Sequence, residues 1–186
     1  MLIPLRLSAQ SDEQLMERAA RGSDRAFEEL YNRYARRLQG FFVRRLGDDA
    51  DLAADFMHDT FLRLYAARET YHEGSNFRAW LFTIAYNLCR NHHRNQLEMV
   101  SDEDVDITDE VSIEVELDMK GLHEALREVL RKLPEPYAML FSLHYEEELT
   151  VPQIARITNL PEGTVKSRLH KTMNIIKQNL KQYEYH

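Results

Sequence analysis

Apolar residues return at three- and four-residue spacings through most of the chain, the period of amphipathic helices rather than of strands. Ser11 with Gln14 three residues on forms a capping box and opens a first helix carrying Leu15, Met16, Ala19 and Ala20. After Gly22, Ser23 caps a longer second helix with the stripe Phe27, Leu30, Tyr31, Tyr34, Leu38, Phe41 and Phe42, which Gly47 ends. A third helix starts near Asp49 with Ala53, Phe56, Met57, Thr60, Phe61 and Leu64 on one side. A fourth, capped near Ser75, carries Phe77, Trp80, Leu81, Ile84, Ala85 and Leu88. Four such helices enclose one core of about 85 residues, toward the lower end of domain size.

The pattern vanishes over residues 98–118 and then resumes. Leu122, Ala125, Leu126, Val129, Leu130 and Leu133 form the next stripe, and the proline-rich stretch around Pro134 and Pro136 interrupts it. A helix from about Tyr137 to Glu146 follows. Thr150 then caps a short helix with Pro152 in its first turn, and a turn at Asn159–Gly163 leads into the last helix. The expected fold is all-α, with two small helical domains, 1–97 and 119–186, joined by the linker 98–118. No strand or internal repeat is predicted.

Charge sharpens this division. The formal net charge is −7. Residues 98–118 hold ten acids and no base, whereas 1–97 hold 14 bases and 13 acids, and 119–186 hold ten bases and eight acids. The linker alone makes the chain acidic, and its self-repulsion extends it. It is either a solvated spacer or a tether that also covers a basic surface of its own chain. The single cysteine, Cys89, excludes an internal disulfide framework and a cysteine-rich zinc site. The first ten residues, interrupted by Pro4 and Arg6, do not form a signal-peptide core, and no apolar run reaches the ~20 residues of a membrane span. A cytoplasmic protein is expected.

Three surfaces are not explained by core formation. The first is the final helix. Its spacing with the short helix before it is that of a helix-turn-helix: Ala155 stands at the close approach, Asn159 where the turn needs positive φ, and Ile154, Leu160, Val165 and Leu169 on the inner faces. The outer face then presents Thr164, Lys166, Ser167, Arg168, His170 and Lys171 to a major groove. Arg168 suits a guanine, and Lys166 and Lys171 suit phosphates. A solvated face with surplus lysines is the plainer alternative. The second surface is the loop with Tyr71, His72, Ser75 and Asn76, continued on the fourth helix by Arg78, Trp80, Thr83, Asn87, Arg90, Asn91 and Arg94. Aromatics beside amides and arginines suit unstacked bases and a single-strand backbone, with core packing as the competing role for Trp80. The third is a charged patch on the third helix, Asp55, His58, Asp59 and Arg63 beside Phe61, which suits a protein contact or a simple ion-pair face.

Taken together, these features resemble the extracytoplasmic-function sigma factors of bacterial RNA polymerase, in the sigma-70 family, over about Ser11 to Lys181. The stretch DRAFEELYNRYARRL resembles the opening helix of region 2, ADLAADFMHDTFLRLY its polymerase-binding helix, and SNFRAWLFTIAYNLCRNHHR the segment that recognises and melts the minus-ten element. LTVPQIARITNLPEGTVKSRLHK resembles the region 4 helix-turn-helix that reads the minus-thirty-five element. The resemblance implies that Asp55, His58, Asp59, Phe61 and Arg63 meet core polymerase. It implies that the loop Tyr71–Asn76 grips a flipped base, that Asn87, Arg90, Asn91 and Arg94 follow the melted strand, and that promoter DNA is the second partner. It also implies an anti-sigma factor, usually membrane-bound, and no cofactor, metal or catalytic residue. His58–Asp59 replace the family's usual Gln–Glu, and Asn91 stands where an acid is common.

Two other functions fit parts of the chain. An ordinary helix-turn-helix regulator would bind duplex DNA without polymerase and has no use for the Tyr71–Arg94 surface. A di-metal carboxylate enzyme would use the Glu-x-x-His spacing of Glu69 and His72, a motif such sites need twice. If the linker shields basic surfaces, replacing its ten acids with Ser or Gln raises the DNA affinity of the protein without polymerase. Unchanged affinity in a salt titration removes the shielding role.

Overall fold

The structure is a computed structural model that describes residues 6–97 and 122–180. Packing divides the chain into two units, Met1–Met99 and Val100–His186. The acidic linker expected at 98–118 lies outside the described residues. Among those residues every regular element is helical, as the spacing predicts.

In the first unit, α1 (Asp12–Ala20), α2 (Asp24–Arg45), α3 (Ala50–Ala66) and α4 (Phe77–Leu97) follow one another, with short 3-10 turns at Leu7–Ala9 and Arg68–Thr70. The caps of α1 and α2 are those the sequence predicts, and α3 starts after Asp49 as expected. Ser11 Oγ accepts the Gln14 N–H while Gln14 Oε1 accepts the Ser11 N–H, at 3.2 and 3.1 Å. Ser23 Oγ accepts from Ala26, and Asp49 Oδ1 from Leu52. On α4 the cap is Asn76 rather than Ser75, with Asn76 Oδ1 accepting the Ala79 N–H at 2.8 Å. Each such cap satisfies one of the amides that have no partner within the helix, worth about 1 kcal/mol.

The core holds Leu15, Met16, Leu30, Leu38, Phe41, Phe42, Ala53, Leu64, Phe77, Leu81, Phe82 and Ala85. Fully burying a Leu or Phe side chain contributes about 1.5–3 kcal/mol, so these positions dominate the stability of the unit. The buried face of α4 differs from the expected stripe. Phe82 and Cys89 are buried with Phe77, Leu81, Ala85 and Leu88, whereas Trp80 and Ile84 are only half-buried. The helix is rotated so that Phe82 packs edge-on against Phe41 of α2, centroids 5.3 Å apart, and Trp80 moves to the rim. One knot ties three helices together. The Arg33 guanidinium of α2 donates to Asp12 of α1 at 2.9 Å and to the carbonyls of Leu7, Ser8 and Gln10. The Tyr34 hydroxyl donates to the same Asp12, and the Tyr34 ring meets Phe77 of α4 at 5.3 Å.

In the second unit, α5 (Leu122–Lys132), α6 (Glu135–Phe141), α7 (Val151–Thr158) and α8 (Glu162–Leu180) enclose a second core. Val129, Leu133, Tyr137, Ala138, Phe141, Ile175 and Ile176 cluster together, with Leu126 and Leu130 partly buried against them. The helix expected from Tyr137 to Glu146 is α only to Phe141, then widens into a π turn over Ser142–Glu146. The turn between α7 and α8 is as expected, with Asn159 at φ 56°. Ile154, Val165 and Leu169 are buried and Leu160 half-buried.

Glu148, between the π turn and α7, also has a positive φ, 55°, without the short side chain that lets Asn159 and Asp48 adopt this region readily. Glu148→Gly removes that cost, and despite the extra freedom of Gly in the unfolded chain it stabilises the second unit by about 0.5–1 kcal/mol. Thermal unfolding of the full chain measures it, and a lowered midpoint refutes the assignment of strain.

Candidate functional site

The first surface lies on α3, whose exposed side carries Asp55, His58 and Arg63, with Asp59 half-buried. Asp59 and Arg63 pair across one turn, Nε to both carboxylate oxygens at 3.1 Å. An exposed pair of this kind contributes only about 0.3–0.5 kcal/mol, so a partner can take either group at little cost. His58 Nε2 lies 3.3 Å from the Tyr31 hydroxyl of α2. Phe61 belongs to a different layer. It is 4% exposed and packs against Phe27 and Tyr31, centroids 6.1 and 4.7 Å away, so it supports the patch from beneath and does not present its ring to a partner. Beside the patch, Leu62 is 69% exposed and Tyr65 38%. Tyr65 is steadied by the Arg68 guanidinium 4.1 Å from its ring centre and by its hydroxyl donating to Asp24 at 3.2 Å. Sequence reasoning missed this apolar component. The available signal was that Leu62 falls off the stripe Ala53, Met57, Thr60, Phe61 and Leu64.

The second surface begins in the loop before α4. Gly74 turns the chain at φ 82°. The Tyr71 hydroxyl donates to the Ser75 carbonyl at 2.5 Å, closing the loop on itself, and the Tyr71 ring lies tilted against Trp80 with centroids 5.3 Å apart. His72 and Asn76 are exposed, and Ser75 is half-buried. Burial pushes the Tyr71 phenol up to about 12, helped by the nearby charges of Glu13, Glu17 and Asp12, so it stays a donor at neutral pH. Along α4, Asn87, Arg90, Asn91 and Arg94 are exposed on the side that also carries Trp80 and Thr83, so the structure brings the loop and the basic stripe into one continuous strip. Arg78 departs from it. It points to the core side, where it hydrogen-bonds the Tyr34 hydroxyl and works against the rise that burial and Asp12 impose on that phenol. The reason is angular: residue 78 lies about 100° from residue 77, on the same side as the buried residues 82 and 85.

The third surface is α8. Lys166, Ser167 and His170 are exposed, and Thr164, Arg168 and Lys171 are half-buried. Val165, Leu169 and Thr172 face the core, so the middle of the outward face is Ser167, His170 and Asn174, the last also exposed and not anticipated. Arg168 sits toward the flank, its guanidinium carbon 5.5 Å from the centre of the buried Tyr137 ring of α6. Lys166 makes a loose pair with Glu162 at 3.9 Å. On α7, Thr150 donates to Gln153 Oε1 from both its amide and its hydroxyl, at 2.8 and 2.9 Å, which holds the supporting helix.

Glu69 and His72 lie on a 3-10 turn and in the loop, both exposed, so their Glu-x-x-His spacing is not the one-turn spacing of a helical metal site. Among the described residues no group of three or more His, Cys, Asp and Glu side chains is placed to hold a metal ion, and no helix is long and apolar enough to cross a membrane.

Residues 30–97 match the family model described as Sigma-70 region 2, and residues 123–174 the one described as Sigma-70, region 4. The chain is 31% identical to the RNA polymerase sigma-H factor of Pseudomonas aeruginosa, over 94% of this chain and 96% of that protein. It is 26% identical to the ECF RNA polymerase sigma-E factor of Haemophilus influenzae, over 91% and 95%. Its fold is shared, at a TM-score of 0.63 and 24% identity over 83% of this chain and 96% of the other, by the sigma factor RpoE of Bartonella quintana, solved in complex with the anti-sigma factor NepR.

On the inner side of α4, His93 is held below its ordinary value of 6.5, mainly by burial and then by the neighbouring charges of His92 and Arg45. The unfolded chain therefore binds more protons than the folded one between that ordinary value and the lowered one. Stability is intact above about pH 6.5 and falls as the pH drops below it. Melting of the full chain between pH 7.5 and 5.5 shows this loss in the first unit, and His93→Gln flattens it. An equal slope in the variant assigns the acid sensitivity elsewhere.

Proposed function

The chain belongs to the sigma-70 family, as an extracytoplasmic-function sigma factor, and on that premise we propose how its three surfaces divide the work of transcription initiation. The α3 face, Asp55, His58, Asp59 and Arg63 with the apolar Leu62 and Tyr65, meets core polymerase. The face of α8 around Lys166, Ser167, His170 and Lys171 reads the upstream promoter element, with Arg168 at its flank. The loop Tyr71–Asn76 and the strip through Trp80, Asn87, Arg90, Asn91 and Arg94 hold the melted strand after an unstacked base has left the duplex, a step that costs a few kcal/mol. Bond making belongs to the polymerase. Binding by an anti-sigma factor, the kind of partner present in the Bartonella complex, and a cytoplasmic site of action complete the proposal.

The observation that carries it is the strip in the first unit. A duplex-binding regulator uses a helix-turn-helix such as α7–α8 and leaves an aromatic loop leading into an amide- and arginine-lined helix without a role. Single-strand binding uses exactly that combination of stacking surface and cations. Division between two small readers also fits their modest charge, since linked weak sites act at high effective concentration.

The test is transcription from genomic fragments of the source bacterium by its own core polymerase, with and without this protein. New start sites that require the protein support the proposal, whereas duplex binding without new starts favours the regulator. Asp55→Lys, on the exposed side of α3, leaves the melting midpoint within the range of about 0.5 kcal/mol usual for surface changes and abolishes capture of core polymerase. Normal capture by that variant removes α3 from the polymerase contact.

A further inference from the structure

The loop from Tyr71 to Asn76 is anchored at both ends by its own residues, through the Tyr71–Ser75 hydrogen bond and the Asn76 cap. A further anchor comes from outside the segment. Glu13, in the first turn of α1, accepts the Phe77 N–H through Oε1 at 3.4 Å in a partly buried setting. That amide belongs to the first turn of α4, where backbone donors have no partner within the helix and a negative charge is favourable. Glu13 is adjacent in sequence to Asp12, which the Arg33 guanidinium and the Tyr34 hydroxyl fix in place. Tyr34 in turn packs against the Phe77 ring. The Phe77 residue is thus held at its ring by α2 and at its amide by α1, three positions before Trp80 on the same helix. After burial, the Glu13 charge is the largest influence that raises the Tyr71 phenol.

The geometry points to Glu13 as a positioning residue: through the Phe77 amide it fixes the first turn of α4, and with it the Tyr71–Trp80 surface, in the shape that receives an unstacked base. This rests on the role proposed above for the loop. The rest of the fold does not depend on Glu13. The buried Phe77 ring packs against Tyr34, and Asn76 already caps α4. Loss of the carboxylate therefore loosens the receiving surface and leaves the bundle standing. Held rigidly, an aromatic pair receives a base without the ordering cost that a mobile one incurs on binding.

Trp80 is the only tryptophan in the chain, so its emission reports on this surface in the protein by itself. The experiment compares Glu13→Ala, Glu13→Gln and Tyr71→Ala in the full chain. Trp80 emission and melting are recorded without polymerase. The holoenzyme is then titrated with a fork-junction DNA, its unpaired strand taken from a start site mapped in the transcription test, and with the fully paired upstream element. Glu13→Ala is expected to shift Trp80 emission to longer wavelength and to weaken fork binding about tenfold, with the paired element bound as before and the melting midpoint little changed. Glu13→Gln keeps the accepting oxygen and is expected to recover most of the affinity. Unchanged emission and fork affinity in Glu13→Ala overturn the inference. So does a loss in Glu13→Ala that is matched by an equal loss on the paired element, which marks a general defect. Tyr71→Ala separates two failures. If it weakens fork binding and Glu13→Ala does not, only the role of Glu13 falls. If neither does, the role of the loop falls and that of Glu13 with it.

Discussion

The contact between Tyr34 and Phe77 sets the register of the first unit. Phe77 is the first residue of α4, and a helix that starts in a fixed orientation has every later side chain placed by its 100° step. With Phe77 against Tyr34, residues 81, 82, 85, 88 and 89 enter the core. Residues 80, 83, 87, 90, 91 and 94 are carried to the opposite side, where they continue the loop. Tyr34 can serve as this reference because its hydroxyl is tied to Asp12, and Asp12 is held by Arg33. The polar knot spans α1 and α2, and a buried hydroxyl without such a partner would itself carry a desolvation cost of about 1–3 kcal/mol. One side chain thus joins packing to polar satisfaction, and the polar strip of α4 inherits its orientation from it.

What was legible in the sequence was local. Ser11 with Gln14, Ser23, Asp49 and Asn159 announce helix ends through residues only a few positions apart, and the structure places those ends where the residues say. The all-α class follows from the same spacing. What depended on distant partners was not legible. A three-four pattern on α4 accommodates either Trp80 and Ile84 or Phe82 and Cys89 on the buried side, and both pairs are apolar. Phe41 of α2 decides between them, 41 residues away. Phe61 looks like a member of the charged patch until Phe27 and Tyr31 are seen to cover it. Arg168 looks like a base reader on the outward face until Val165, Leu169 and Thr172 are seen to face the core, which leaves it at the flank beside Tyr137. The outward placing of Asn87, Arg90, Asn91 and Arg94 was legible because all four are exposed, on the side of α4 opposite its buried residues.

If α8 reads DNA as proposed, its geometry separates affinity from specificity. A cation near a phosphate supplies attraction that is indifferent to sequence, whereas a group at the middle of the face meets base edges. Lys166 is exposed toward one side of that middle, while Ser167, His170 and Asn174 occupy it. On the proposed reading, discrimination comes from short polar side chains and an imidazole, and the lysines supply non-specific attraction. Arg168, stacked on a fully buried aromatic ring, is preorganised and loses little side-chain freedom if it reaches a phosphate or a base from there.

Charge then constrains how such a factor can work. Neither flanking segment carries more than two net positive charges, too few for strong attraction to duplex DNA by counterion release alone. A protein built this way gains selectivity only when several weak contacts are made together. A partner that holds the chain on DNA supplies that condition, because each further contact is then intramolecular. The exposed Leu62 and Tyr65 on α3 fit this requirement, since an apolar surface beside a loosely paired Asp59–Arg63 gains free energy from being covered and loses little when the ion pair is broken. On the proposed division of roles, the weak basicity of the readers and the apolar side of α3 are two expressions of one design: recognition is distributed over small surfaces, and the partner supplies the binding that makes them effective.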